Sequence, residues 1–109
     1  MSKRFKREIR VLLILQDKLL DKDIVLYAIV RGVKGLEHIG LKIGSANEIL
    51  NQVLKDKLME EVRFVINVNS VEEEVKRFNI EFLKDRLREY SLILRKIHEE
   101  LVNLITSNT

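Results

Sequence analysis

Two histidines, several paired carboxylates and no cysteine make up the chemically versatile side chains of this chain. Without Cys there is no thiolate nucleophile, no thiolate metal ligand and no disulfide, a usage that fits a reducing compartment. His38 stands beside Glu37, but successive strand residues point to opposite faces and do not make an acid/base pair. His98 falls next to the apolar seam of a C-terminal helix, which reads as a surface or interface position rather than a general base. Neither an HxxxH nor an HxxE spacing occurs, so the sequence offers no metal site and calls for no cofactor. Glu72, Glu73 and Glu74 sit where a helix begins, and negative charge there offsets the helix dipole. Glu99 and Glu100 form a second carboxylate pair. Ser45 and Ser70 each start a Ser-x-x-Glu capping box, with Glu48 and Glu73, which explains both hydroxyls without nucleophilic chemistry. The chain therefore reads as non-enzymatic, with no small-molecule substrate evident.

Two glycine patterns are weak. Gly32-Val33-Lys34-Gly35 has the GxxG form with which KH modules clamp a nucleic-acid backbone. Those loops join two helices, whereas an apolar strand precedes this one. Gly40 and Gly44 fit GxxxG, whose packing rationale belongs to membranes. No Walker loop or dinucleotide fingerprint is present.

Charge gives the strongest functional pull. Residues 1–10 carry Lys3, Arg4, Lys6, Arg7 and Arg10 against Glu8 alone, a net of +4, so the formal +3 of the whole chain leaves −1 for the rest. Lys3, Lys6, Arg7 and Arg10 follow separations of three and four and would cluster along one side of a helix. Such a basic arm could neutralise phosphates of DNA or RNA. Only Phe5 is near for base stacking, which argues against single-strand recognition. A solubilising terminus, or contact with an acidic protein, fits the same charges.

The elements that would position these groups follow from periodicity. Phe5, Ile9, Leu12, Leu13, Leu19 and Leu20 recur at helical spacing, which predicts an N-terminal helix over 5–20. The run Val11 to Leu15 by itself also fits a strand, because a short apolar block carries no period. Asp21 to Asp23 mark a turn. Ile24 to Val30 is an apolar, β-branched run that predicts a buried strand. After the glycine turn, alternation of Ile39, Leu41 and Ile43 predicts a second strand over about 36–43, completing a hairpin. Ser45 to Glu48 caps a helix carrying Ile49, Leu50, Val53, Leu54 and Leu58. Val62, Phe64, Ile66 and Val68 alternate as a third strand.

The C-terminal pattern is the clearest. Ile80, Leu83, Leu87, Tyr90, Leu94, Ile97, Leu101 and Leu104 follow a 3-4 spacing with no miss, a seam of coiled-coil grade over 80–105. An ordinary core-facing helix is the plainer reading, and Phe82, Leu92, Ile93, Val102 and Ile105 widen the apolar stripe. Val71, Val75, Phe78 and Phe82 run in a different register, so the chain either breaks at Asn79 or shifts locally. A continuous helix over 71–106 would span about 54 Å at 1.5 Å per residue, against about 30 Å for a domain of this size. The surplus stripe predicts a homodimer, two-fold by default.

Length and composition bound the rest. A chain of 109 residues, 46% hydrophobic and 34% charged, forms one globular domain over 1–109. No apolar run approaches the ~18 residues of a membrane span, which predicts a cytoplasmic protein with no membrane partner. The absence of Pro, Trp and Cys with abundant Lys, Glu and Ile resembles thermophile usage, against which stand seven Asn. The expected fold is α+β and helix-rich: an N-terminal helix, a small sheet of about three antiparallel strands with a crossing helix, and a long C-terminal helix or helix pair. The expected function is a self-associating protein that binds nucleic acid through its basic arm. The alternative is a structural or adaptor subunit that uses the C-terminal helix on a protein partner and has no nucleic-acid role.

Overall fold

The computed structural model describes residues 9–19, 21–44, 51–52, 55 and 62–107. Four strands carry the core: β1 (Arg10–Leu19), β2 (Lys22–Arg31), β3 (Gly35–Gly44) and β4 (Val62–Asn67). They lie in the order β3-β2-β1-β4, antiparallel across β3-β2 and β2-β1 and parallel across β1-β4. A short helix, α1 (Val71–Glu74), runs on into a 3-10 turn over Val75–Arg77, and the long helix α2 occupies Glu81–Ser107.

The expected N-terminal helix over 5–20 is corrected at its core: residues 10–19 are a strand. The reason is burial on two sides at once. Val11, Leu12, Leu13, Ile14 and Leu15 are all buried. Val11, Leu13 and Leu15 pack on the side that holds Leu87 and Leu94 of α2, while Leu12 and Ile14 join Val25, Tyr27 and Ile29 on the other. A strand with both faces covered needs no alternation, so its sequence looks like a helix fragment. The three-stranded antiparallel sheet is corrected as well. A central strand must satisfy the hydrogen-bonding groups of both its edges. β1 pairs with β2 on one edge, and on the other it takes β4 in parallel, with Leu13 opposite Ile66. The sheet is thus mixed and four-stranded, and strand and helix hold comparable shares of the described residues.

The hairpin of the second and third apolar runs forms as expected, with Leu26 opposite Leu41 and Ala28 opposite Ile39. Its connection, Gly32–Lys34, is a 3-10 turn with positive φ at Gly32 and Gly35. Gly35 sits at φ 86°, ψ −145°, a region that side chains with a Cβ essentially never occupy. The GxxG run is therefore a strand-to-strand turn and has no helix on either side.

The chain does break near Asn79. Phe78 is extended, and its ring turns into the core to meet Phe64 edge-on at 5.1 Å. That insertion ends one helical register and lets Glu81 start another. Ser70 precedes α1, but its side chain makes no capping hydrogen bond. The Asn67 side chain instead accepts from the amide of Asn69. The first capping box, Ser45 with Glu48, lies outside the described residues; Asn51, Gln52 and Lys55 of the helix predicted after it are helical and exposed.

Candidate functional site: an uncovered apolar face and the polar cleft beside it

α2 crosses one face of the sheet on a diagonal fixed by contacts on its two flanks. On one flank the Tyr90 hydroxyl accepts from the amide of Leu36, at the start of β3, at 3.2 Å, and Arg86 donates to the same oxygen. On the other, a guanidinium nitrogen of Arg95 donates to the carbonyl of Val68, just past β4, and His98 meets Asp17 near the end of β1. The first turn lies beside Ile9 and Phe64, Tyr90 then reaches the start of β3, and the helix leaves the sheet on the β1-β4 side. Leu83, Leu87, Ser91 and Leu94 point down into the sheet and are buried. Beyond Leu94 no residue of α2 is fully buried, and Leu104 is 59% exposed.

Among the described residues, this diagonal leaves a strip of the sheet uncovered. Leu41 and Ile39 share the helix-side face with their partners Leu26 and Ala28, yet both are exposed, and Ile43 is 60% exposed. At 100° per residue, Tyr90, Ile93, Ile97 and Leu104 lie on the flank of α2 that looks towards this row. Ile93, Ile97, Leu101 and Leu104 line an apolar hollow of about 340 Å³, bordered by Lys96 and Glu100. The exposed row on β3 and the apolar hollow on α2 lie on the same side of the sheet and flank the wedge between strand and helix. Among the described residues nothing pairs with the outer edge of β3.

Most of the expected seam turns inward. Leu83, Leu87 and Leu94 belong to the chain's own core, and Ile80, Tyr90, Ile97 and Leu101 pack against it in part. Only Leu104 of the eight is largely exposed. The residues that extend the open surface are ones outside the heptad: Ile93 on α2, and Ile39, Leu41 and Ile43 on β3. Strand alternation marked those three as one face but could not say which face goes uncovered.

Of the basic arm, Lys3, Arg4, Lys6 and Arg7 lie outside the described residues. Arg10 is committed within the fold. Its guanidinium grips Glu37 through Nε at 2.8 Å and a second nitrogen at 3.2 Å. Arg31, directly opposite Arg10 across β1-β2, approaches the same carboxylate at 3.6 Å. A register shift between Ile29 and Val30 leaves Glu37 unpaired in β3, and the extra residue aims this carboxylate at two facing cations.

The opposite flank of α2 borders a cleft of about 320 Å³ lined by Gln16, Asp17, Asn69, Arg95, His98 and Glu99. It lies at the carboxyl ends of the two parallel strands. His98 Nε2 stands 2.6 Å from Asp17 Oδ2. An ionised carboxylate can only accept, so the imidazole nitrogen donates. The amide of Lys18 donates to Asp17 Oδ1 at 2.7 Å, and that bond, with the His98 contact, holds the Asp17 carboxyl below its ordinary range. Nothing in the local sequence announces this pair, because its members are 81 positions apart. Both carboxylate oxygens are taken, so the pair reads as a fastening between helix and sheet.

No protein-family model matches the chain, and neither a curated protein nor a solved structure is significantly similar to it. The reading of the surface therefore rests on its own chemistry. Among the described residues no three His, Asp or Glu side chains gather closely enough to hold a metal ion. No helix among them is long and apolar enough to cross a membrane.

Proposed function

We propose that this chain acts by protein contact, as a self-associating structural subunit, through the apolar surface that α2 shares with β3. The observation that carries the reading is the exposure, on the same side of the sheet, of Ile39, Leu41 and Ile43 on β3 and of Ile93 and Leu104 on α2. Monomers that keep to themselves rarely expose contiguous apolar patches of more than a few hundred Å². A long apolar edge strand is also a liability unless something covers it or pairs with it. Covering the patch with another polypeptide removes both costs.

The test is molar mass by light scattering across a wide concentration range, for the natural chain and for an Ile43→Glu/Leu104→Glu variant. Both side chains are more than half exposed, so the variant is expected to fold. The natural chain is expected to associate and the variant to remain monomeric. A natural chain that stays monomeric at the highest concentrations removes the reading.

Nucleic-acid binding through the arm is a second reading, supported by the net +4 of residues 1–10. It predicts affinity that falls steeply with salt. Because Arg10 is held by Glu37, the informative variant changes Lys3, Arg4, Lys6 and Arg7 only, and binding to a DNA or RNA mixture that survives it refutes this reading.

A further inference from the structure

Resting on the self-association reading, we infer that the occupant of the wedge is a second copy of this chain, docked with its α2 antiparallel to the first. The two-fold axis would pass beside α2 between His98 and Glu99, perpendicular to the sheet layer. Each helical tail would then lie over the uncovered β3 row of the other copy.

Three observations meet in this arrangement. The first is where the apolar residues fall. With the axis between residues 98 and 99, Ile93 comes level with Leu104 of the second copy, and Ile97 lies within one residue, about 1.5 Å, of the level of Leu101, so these four apolar positions meet one another. The second concerns charge. Lys96 and Glu100 are exposed and border the hollow on one and the same flank of the stripe. Among the described residues neither has an ion-pair partner. Antiparallel helices bring like flanks together, so Lys96 of one copy comes within one residue, about 1.5 Å along the helix, of the level of Glu100 of the other, twice over. Parallel helices would bring opposite flanks together and leave both charges unmatched. Flanking charges of this kind set helix orientation.

The third observation is the shape of a single copy. α2 makes a polar contact with the sheet at His98–Asp17, and beyond Leu101, which still packs against the core in part, the final turns to Ser107 project past the sheet. The molecule is 53 Å long and only 26 and 21 Å in its other dimensions. Reversed by the two-fold, that projecting tail runs back alongside the partner's α2 at the level of residues 90–98. This is the level at which Ile39, Leu41 and Ile43 lack a cover. The surplus of each copy matches the deficit of the other, and the symmetry makes the contact closed rather than filamentous.

Charge exchange and cysteine linkage test the orientation separately from association. Lys96→Glu is expected to weaken the dimer about tenfold, the scale of two rim ion pairs turned into like-charge contacts. Lys96→Glu/Glu100→Lys is expected to restore it. The chain has no cysteine, so single-cysteine variants report cleanly. A mixture of Lys96→Cys and Glu100→Cys is expected to give a mixed disulfide under mild oxidation. Leu104→Cys is expected not to link to its own copy, the two positions lying roughly 16 Å apart along the helices. A dimer in which Leu104→Cys links to itself, or in which neither pair links, overturns the antiparallel arrangement and leaves association standing. A chain monomeric at every concentration overturns both.

Discussion

His98 and Asp17 hold each other at 2.6 Å, Nε2 to Oδ2, and so tie the middle of the longest helix to the end of the central strand. The pair sits near where α2 departs from the sheet. Asp17 is the more exposed partner, with 42% of its side chain in solvent, so the energy of the contact is small.

Asp17→Asn is expected to cost less than about 1 kcal/mol at neutral pH. The folded chain holds the Asp17 carboxyl below its ordinary value, first through the Lys18 amide and then through His98. A carboxylate depressed on folding adds stability above the unfolded value of about 3.9 and loses it as pH falls through the lower folded value. The difference between the natural chain and the variant should therefore be full above that range and vanish in stronger acid. Urea unfolding at a series of pH values measures it, and a gap that persists unchanged into strong acid contradicts the account.

Leu87 and Leu104 follow one heptad pattern but should behave differently. Leu87 is fully buried among the strands and α1, whereas Leu104 is exposed. Leu87→Ala is expected to cost about 2–5 kcal/mol of folding stability. Leu104→Ala should stay within about 0.5 kcal/mol when measured at concentrations where the chain is monomeric. Leu94→Glu, aimed at an interface on sequence grounds alone, should unfold the monomer, since Leu94 has no exposed surface. Circular dichroism under denaturant separates these outcomes.

Glu37 is the hinge of a small charge cluster. It holds Arg10 bidentately and approaches Arg31, two cations that face each other across β1-β2. Like charges directly opposite are unfavourable in a sheet. Glu37→Gln is expected to lower stability by about 1–3 kcal/mol, because two partly buried guanidinium groups lose their shared anion. High salt should shrink the loss, and a thermal unfolding series in salt reads it directly.

Gly40 lies flat against the ring of the buried Tyr27, so close that an added Cβ would overlap ring carbons. Gly40→Ala should cost about 1–3 kcal/mol as the ring is pushed aside. Combined with Tyr27→Leu, the same change should cost much less than the sum of the two, because the clash is with that ring. Strict additivity in the double-mutant cycle would show the glycine is needed for another reason.

The sequence by itself determined whatever depends on neighbours a few residues apart. Alternation at Ile39, Leu41 and Ile43 was enough for β3, the β-branched run Ile24 to Val30 for β2, and the 3-4 spacing from Leu83 onward for α2. The misfit of register around Asn79 marked the break that Phe78 makes on turning into the core. Tertiary structure decided the rest. Val11 to Leu15 became a strand because both faces of β1 are covered and both its edges paired, and double burial erases the period that would distinguish it. The parallel pairing of β4, the Asp17–His98 tie and the Arg10–Glu37–Arg31 cluster join residues far apart in the chain, where no local pattern reaches. So does the division of the heptad seam between core and solvent. A helical stripe records that its residues are apolar, and only the diagonal of α2 across the sheet sets which of them find cover.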